Sequence, residues 1–364
     1  MKVITVLGTR PEIIRLSRII PRLDAACEHT VVHTGQNHDP ALNEVFFEQL
    51  GLRRPDVHLD VRGASFAEQI AQILTRCEAV LRERRPDRLL VLGDTNSGLS
   101  AYVAKRLRIP VYHLEAGNRC HDDRVPEEVN RRVIDHSSDV LMPYTERSRD
   151  NLLAEGFPGR RLHVVGNPIF EVLEHHRADI DRSAILDALG LAPRSYLLVT
   201  AHREENVDDP RRLGALVEGW RLLRRELGRP LIVSVHPRTR RRLQEFGLAP
   251  GDEQVRLLEP LGLFDFVRLE REALCVLSDS GTVQEECCIL RVPNVTLRDS
   301  TERPETIDCG SNILSGVEPE AVLRCARLVT SQPPRWTPPP EYLAAEVSAT
   351  VCRVVLGAPP LSAR

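Results

Sequence analysis

Lysine is nearly missing from this 364-residue chain: only Lys2 and Lys105 occur, so arginine supplies almost all of its 49 basic residues. That bias is read as the signature of a GC-rich genome rather than of phosphate recognition. Set against 52 acidic residues, the basic ones leave a formal net charge of −3, and no broad positive field exists to hold a nucleic acid. An acidic ligand must be gripped locally. No two cysteines have C-x-x-C spacing, the nine thiols are odd in number, and the adjacent Cys287 and Cys288 do not form a plausible zinc site. Reduced, mostly buried thiols are expected. No apolar run approaches the roughly 20 residues of a membrane span, and Met1-Lys2 leads straight into a strand with no room for a signal peptide. The expectation is a cytoplasmic protein with neither a membrane nor a nucleic-acid partner. G-x-G-x-x-G is also missing, which weighs against a nicotinamide cofactor and oxidative chemistry.

What is present is the make-up of a folded enzyme, with 42% hydrophobic and 28% charged residues. The chain is too long for one comfortable core, so two domains of roughly 170 residues are expected. Short β-rich runs at Val3–Leu7, His29–Thr34, Arg88–Leu92, Pro110–Leu114, Val140–Met142 and Leu162–Val165 alternate with longer helical patterns. The rhythm restarts after a polar helical stretch, Glu171–Leu189, with Tyr196–Thr200, Leu231–Val235, Val255–Leu258, Ala273–Leu277 and Asn294–Leu297. Alternation of this kind means βαβ units and parallel sheets, hence an α/β protein of two Rossmann-like domains. Their expected extents are 1–170 and 171–340. A Pro-rich stretch then leads into a last helical pattern, Glu341–Leu356, and the segment 341–364 is expected to cross back onto the first domain.

In open α/β sheets ligands collect beyond the carboxyl ends of the strands, where helix N-termini offer free N–H groups. The first such loop, Gly8-Thr9-Arg10-Pro11-Glu12, has a glycine, a cation and a proline fit for a first helical turn. It reads as a diphosphate grip or as an ordinary turn. Leu92-Gly93-Asp94-Thr95-Asn96-Ser97 and His113-Leu114-Glu115-Ala116-Gly117 put carboxylates on neighbouring loops, the raw material of acid and base catalysis. Glu127 follows in Arg124-Val125-Pro126-Glu127-Glu128-Val129-Asn130-Arg131, although an acid in a first turn also simply complements the helix dipole. In the second half, Ala201-His202-Arg203-Glu204-Glu205-Asn206 follows a strand, and Ser278-Asp279-Ser280-Gly281-Thr282 precedes a helix with Glu285 and Glu286 in its first turn. Small residues there let the backbone approach a phosphate, and a carboxylate one turn on accepts from ribose hydroxyls. Arg298-Asp299-Ser300-Thr301-Glu302-Arg303-Pro304-Glu305 adds another cation after a strand.

The run of GTRPE, GDTNS, HLEAGNR, RVPEEVNR, AHREEN, SDSGTVQEE and TERPE resembles, in that order and over essentially the whole chain, the non-hydrolysing UDP-N-acetylglucosamine 2-epimerases. The resemblance implies the glycosyltransferase-B type of fold, two Rossmann-like domains with a cleft between them. It implies catalytic roles for Asp94, Glu115, Glu127 and His202, and nucleotide contacts from Arg10, Phe266, Ser280, Gly281, Thr282, Glu286 and Arg303, with Arg15 and Arg131 joining at the diphosphate. It implies a UDP-N-acetylhexosamine as substrate, a homodimer, and no metal or organic cofactor. Glu115-Ala116-Gly117-Asn118-Arg119-Cys120, Glu286-Cys287-Cys288 and Cys309-Gly310-Ser311-Asn312 bring the chain nearest to the branch that forms UDP-N-acetyl-L-fucosamine. Gly35-Gln36-Asn37-His38-Asp39 and Ile73 stand where allosterically activated members carry effector-binding residues, so strong activation by UDP-N-acetylglucosamine is not expected. A glycosyltransferase of the same architecture and a catalytically silent nucleotide-sugar sensor are the competing readings.

Overall fold

Runs rich in Val, Ile and Leu, too short for helices, form the strands. In a computed structural model describing residues 1–35 and 40–357, six of them make one sheet: β1 (Lys2–Leu7), β2 (Glu28–His33), β3 (Val57–His58), β4 (Arg88–Leu92), β5 (Val111–Leu114) and β6 (Val140–Met142). A second sheet holds β7 (Leu197–Thr200), β8 (Leu231–Ser234), β9 (Val255–Leu258), β10 (Cys275–Ser278), β11 (Asn294–Thr296) and β12 (Asn312–Leu314). Their orders are β3-β2-β1-β4-β5-β6 and β12-β11-β10-β7-β8-β9, and every pairing is parallel. Each sheet therefore starts at its centre, winds outward, and returns to wind the other way. The reversal falls between β1 and β4 in one sheet and between β7 and β10 in the other, and there successive loops diverge to leave a crevice.

Helices cover both faces, so the strands are apolar on both. In the first sheet Ile4, Val6, Leu89 and Val91 pack with Ile73, Cys77 and Leu81 of the helix Phe66–Arg84. Ile73 is fully buried there, a member of the core. The effector-related residues Gln36–Asp39 lie outside the described residues. In the second sheet Leu197, Val199, Leu231 and Val233 meet Leu213, Leu216, Val217 and Trp220 of the helix Pro210–Leu227. Leu198, Ile232 and Val276 point to the opposite face, toward Leu269 and Val283. Burial of each such side chain contributes roughly 1.5–3 kcal/mol, which makes these sheets firm mounts for their loops.

The chain folds as two units, one comprising Met1–Glu174 and the chain again from Pro340, the other His175–Pro339. The terminal helix Val347–Leu356 packs on the helix Ile19–Ala26. It is tied down by Ser348, whose N and Oγ donate to Glu171 at 2.8 and 2.5 Å, and by Arg88, which donates to the carbonyls of Val355 and Gly357.

Several details differ from the sequence reading, among them the start of the last helix, Val347 rather than Glu341. The expected strand Leu162–Val165 runs beside β6 but makes a single bridge, Leu162 to Leu141, before the chain turns at Gly166. Gly166 has φ +87°, and a Cβ there would lie 2.6 Å from Ala344 Cβ, so the turn is pressed against the returning C-terminal segment. The polar stretch after Glu171 breaks into three helices, Ile169–His175, Arg177–Arg182 and Ile185–Leu189. The edge strands β3 and β12, of two and three residues, carry too little pattern to be read. Among the described residues, no helix is long and apolar enough to cross a membrane.

Candidate active site

At the reversal of the first sheet, the loop after β1 is closed by its own acid. Glu12 Oε2 accepts from Gly8 N, Thr9 N and Thr9 Oγ1 at 3.0, 2.7 and 2.8 Å, and Oε1 accepts from Thr95 Oγ1 of the loop after β4 at 3.2 Å. The backbone donors that the sequence offered to a diphosphate at Gly8 and Thr9 are thus already engaged. Burial pushes the Glu12 carboxyl up to about 7, outweighing those donors. Arg10 is half-buried, its guanidinium 5.5 Å from the Phe46 ring centroid.

Asp94 follows β4 directly after Gly93, and a Cβ on Gly93 would stand 3.7 Å from Glu115 Oε2, so the loops after β4 and β5 are in touch. Arg131 binds Asp94 Oδ2 through Nε (2.9 Å) and Nη2 (2.6 Å), and its Nη1 donates to Glu128 Oε2 at 3.0 Å. The chain is bent into this arrangement by the helix Pro126–Ser137, whose first residue is the expected proline. Glu128 is fully buried and also accepts from Cys120 N and His121 N at 3.0 and 3.2 Å. Burial raises its pKa, but those donors and Arg131 more than reverse the effect and hold it below the usual carboxylate range. Glu127, the candidate, is half-buried one residue earlier.

Glu115 adopts φ +73°, a left-handed conformation that costs a side-chain-bearing residue of order 1–3 kcal/mol and persists only where its surroundings impose it. Here they do. Its N–H donates to Met142 O at 3.0 Å, and Gly117 two residues on has φ +80° with room for no side chain, since a Cβ would sit 2.2 Å from Ser148 O. Beneath the loop, His113 joins Asp135 Oδ1 (2.7 Å) and Gly93 O (2.8 Å), while Asp135 Oδ2 accepts from Gly117 N (3.2 Å) and Arg119 Nη2 (2.7 Å). The strained loop presents Glu115 to Arg15 Nη1, to Tyr144 Oη at 3.2 Å and to Asn118 Nδ2 at 3.3 Å. Arg15 and Glu115 are both buried.

The second sheet repeats the plan. Asp279, fully buried after β10, reaches the loop after β7: its carboxylate accepts from His202 N (2.9 Å), Arg203 N (3.0 Å) and Asn206 Nδ2 (3.1 Å), and His202 Nδ1 lies 3.3 Å away. The His202 ring also lies 5.9 Å from that of His236. Ser280 begins the helix Gly281–Leu290. A Cβ on Gly281 would come within 2.7 Å of Glu302 Oε1 and 3.6 Å of Arg303 Cζ, so glycine lets the arginine loop close on the helix. Arg303 Nε donates to Glu285 at 2.5 Å, and Thr282 is half-buried beside them in sequence. Glu286 is buried next to Glu270, which burial and the Glu286 charge push well above the usual carboxylate range, making Glu270 the protonated partner. Phe266, on the helix Leu263–Glu272, packs partly buried against the core that holds Leu198, Ile232 and Val283.

The profile of the UDP-N-acetylglucosamine 2-epimerase family matches residues 22–355. The chain belongs to that family. It is 39% identical to the UDP-N-acetylglucosamine 2-epimerase of Methanocaldococcus jannaschii over 347 residues, covering 93% of this chain and 95% of the relative. It is 36% identical to the UDP-2,3-diacetamido-2,3-dideoxy-D-glucuronate 2-epimerase of Pseudomonas aeruginosa over 331 residues, 90% and 92% of the two chains. The crystal structure of the M. jannaschii epimerase in complex with UDP-GlcNAc and UDP superposes with a TM-score of 0.93 at 38% identity, covering 98% of this chain and 99% of that one. The protein is therefore an isomerase of the 2-epimerase type, with the two parallel-sheet, glycosyltransferase-B architecture that its motifs imply.

In this epimerase the candidate residues fall into two groups. Arg10, Arg15, Asp94, Glu115, Glu127 and Arg131 belong to the first unit, and His202, Phe266, Ser280, Gly281, Thr282, Glu286 and Arg303 to the second. Within the first, the structure joins Arg15 to Glu115 and Arg131 to Asp94; within the second, Gly281 to Arg303. Sequence reading missed the groups that hold these in place: Glu12, Asn118, Asp135 and Tyr144 in one unit, Asp279 in the other. For Asp279 a signal existed, an acid at the end of the strand paired with the one preceding His202, but nothing in one sequence announces which strands pair.

Proposed function

We propose that this enzyme interconverts the C2 epimers of a UDP-N-acetylhexosamine by eliminating UDP to a 2-acetamidoglycal and adding it back. The supporting observation is that Asp94 and Glu115, carboxylates on touching loops at the reversal of one sheet, are each held in place by an arginine. No carbonyl adjoins C2 of such a sugar, so the C2 hydrogen is not acidic in the ground state. As the bond from C1 to the diphosphate oxygen breaks and its electrons leave with UDP, positive charge grows at C1 and acidifies that hydrogen. A carboxylate takes the proton, and the C–H electrons form the C1–C2 double bond. Return of a proton to the opposite face of C2, with attack of UDP on C1, completes the inversion.

In this proposal the first unit carries the proton transfers, with Asp94, Glu115 and Glu127 as the acids and bases. The second unit holds the leaving group through Ser280, Gly281 and Thr282 at the start of a helix, through Arg303, and through Glu286 at the ribose. His202, oriented by Asp279, faces the same end and serves the diphosphate or a proton step. Arg15 and Arg131 are occupied by carboxylates in the resting protein, so contact with a diphosphate requires them to exchange a partner.

The substrate we assign is UDP-2-acetamido-2,6-dideoxy-L-talose, giving UDP-N-acetyl-L-fucosamine. Supporting it is Asn118, which bonds both Glu115 and Ser148 and so places an amide beside the candidate base. Inversion of UDP-GlcNAc to UDP-ManNAc is the second reading, favoured by the 39% identical relative. A turnover screen of purified protein with both nucleotide sugars decides between them: we expect kcat/KM at least about tenfold higher for the 6-deoxy sugar, the discrimination available from one pocket contact. Preference for UDP-GlcNAc overturns the assignment, and turnover of neither removes both substrate readings.

A further inference from the structure

None of the cysteines has a part in this chemistry, but two of them lie close together. Cys288 and Cys309 lie in the second unit with their Sγ atoms 3.6 Å apart. Cys288 is near the end of the helix Gly281–Leu290, which begins at Ser280; Cys309 closes the helix Pro304–Asp308, which begins at Arg303. The pair thus joins the far ends of the two elements whose near ends carry the nucleotide candidates. Cys288 is buried and Cys309 is half-buried, so Cys309 is the more accessible of the two. Hydrogen bonding from the Cys288 thiol, helped by Ser311, draws the Cys309 thiol below its ordinary range despite partial burial, while Cys288 is pushed up. Burial raises Cys77, Cys275, Cys287, Cys325 and Cys352. An accessible low-pKa sulfur backed by a second thiol is the arrangement of an attacking and a resolving cysteine.

We propose that Cys309 and Cys288 form a peroxide-sensitive thiol pair that closes to a disulfide and thereby weakens the binding of UDP. The closure stands on the two sulfurs alone; its effect on UDP rests on the nucleotide assignment proposed above. The Cys309 thiolate attacks one oxygen of hydrogen peroxide, the O–O bond breaks, and hydroxide leaves to become water. The Cys288 thiol then gives up its proton and attacks the resulting sulfenic sulfur; the S–O bond breaks, a second water leaves and the S–S bond forms. Two thiols have lost two hydrogens, and one peroxide has become two waters. A dithiol reductant reverses the step by exchange. Since a disulfide bond is about 2.05 Å long, the sulfurs must approach by roughly 1.5 Å. Gly310, with φ +85° and open space around it, leaves the chain after Cys309 free to follow. The pull passes through one short helix to Arg303, which packs on Gly281 and bonds Glu285.

The test begins with reduced protein exposed to an equimolar amount of hydrogen peroxide. Peptide mass spectrometry without reduction should find the Cys288 and Cys309 peptides joined and two hydrogens lighter. Cys288→Ser should instead leave a sulfenic acid at Cys309 that dimedone traps, and Cys309→Ser should abolish both products. Titration calorimetry should show UDP affinity falling about tenfold on oxidation, as for one lost charge-assisted bond, and recovering with dithiothreitol. The double serine variant should bind UDP equally before and after peroxide. Failure of the joined peptide to form, or its forming more slowly than oxidation of the other cysteines, overturns the thiol pair. A joined peptide with unchanged UDP affinity overturns the effect on binding. If reduced protein binds no UDP, the nucleotide assignment fails and takes that effect with it, while the peptide result judges the thiol pair by itself.

Discussion

Arg131 grips a single oxygen of Asp94 with two nitrogens, at 2.9 and 2.6 Å, while its third bonds the buried Glu128. A lysine is a point charge and cannot span both carboxylates. Arg131→Lys should therefore lower kcat by about 10- to 100-fold while UDP affinity stays within about threefold, because the loss falls on the placement of Asp94. Steady-state kinetics beside UDP titration checks this. A rise in the UDP dissociation constant matching the loss of kcat would put Arg131 at the diphosphate instead, as the sequence alone suggested.

Asp279 has no access to solvent, yet it sets the loop of His202 through three donors. Replacing it by asparagine removes the negative charge that the three donors share on Oδ2 and turns an amide N–H₂ toward His202 N, from which Oδ1 now accepts at 3.1 Å, at a cost of roughly 1–3 kcal/mol. Asp279→Asn should cut kcat more than tenfold, and it should do so through His202. In a double-mutant cycle with His202→Ala, the double variant should be no worse than His202→Ala by itself. Additive losses would separate the two residues.

Glu12 gives the first unit a pH dependence of its own. Its carboxyl is raised from 4.5 to about 7 by burial, so between these values the folded protein keeps a proton that the unfolded chain has lost. The stability it contributes is full below about pH 4.5 and is lost as pH rises through 7, a change of about 3 kcal/mol. Glutamine carries no such proton. The difference in unfolding free energy between the native protein and Glu12→Gln, measured in urea across this range, should shift against the native protein by that amount as pH rises; a constant difference would refute the assignment.

The fold was legible because its strands are apolar on both faces and separated by amphipathic helices, so that β4, β6 and β9 could be read to the residue. The edge strands β3 and β12 were not, since the two residues at Val57–His58 and the three at Asn312–Leu314 carry too little periodicity. Asp94, Glu115, His202 and Ser280 were proposed because ligands gather where parallel strands end, and the structure places each in a loop after a strand. Their partners were hidden. Whether Arg131 meets a phosphate or Asp94 depends on the turn of one helix against one loop, and the spacing of residues in a chain does not encode it. The strain at Glu115 was equally invisible, since φ is imposed by Gly117, Ser148 and Met142 from three elements.

In the elimination we propose, the C2 hydrogen leaves as a proton and a different group returns one from the opposite face. Turnover in deuterated water measures this directly, with the product and recovered substrate read by proton NMR and mass spectrometry. Elimination and re-addition should leave one deuterium at C2 of the product, free UDP and a 2-acetamidoglycal in quenched reactions, and turnover cut by orders of magnitude, with UDP binding retained, in Asp94→Ala, Glu115→Ala and Glu127→Ala. A product that keeps its original C2 hydrogen, or full activity in all three variants, would contradict it.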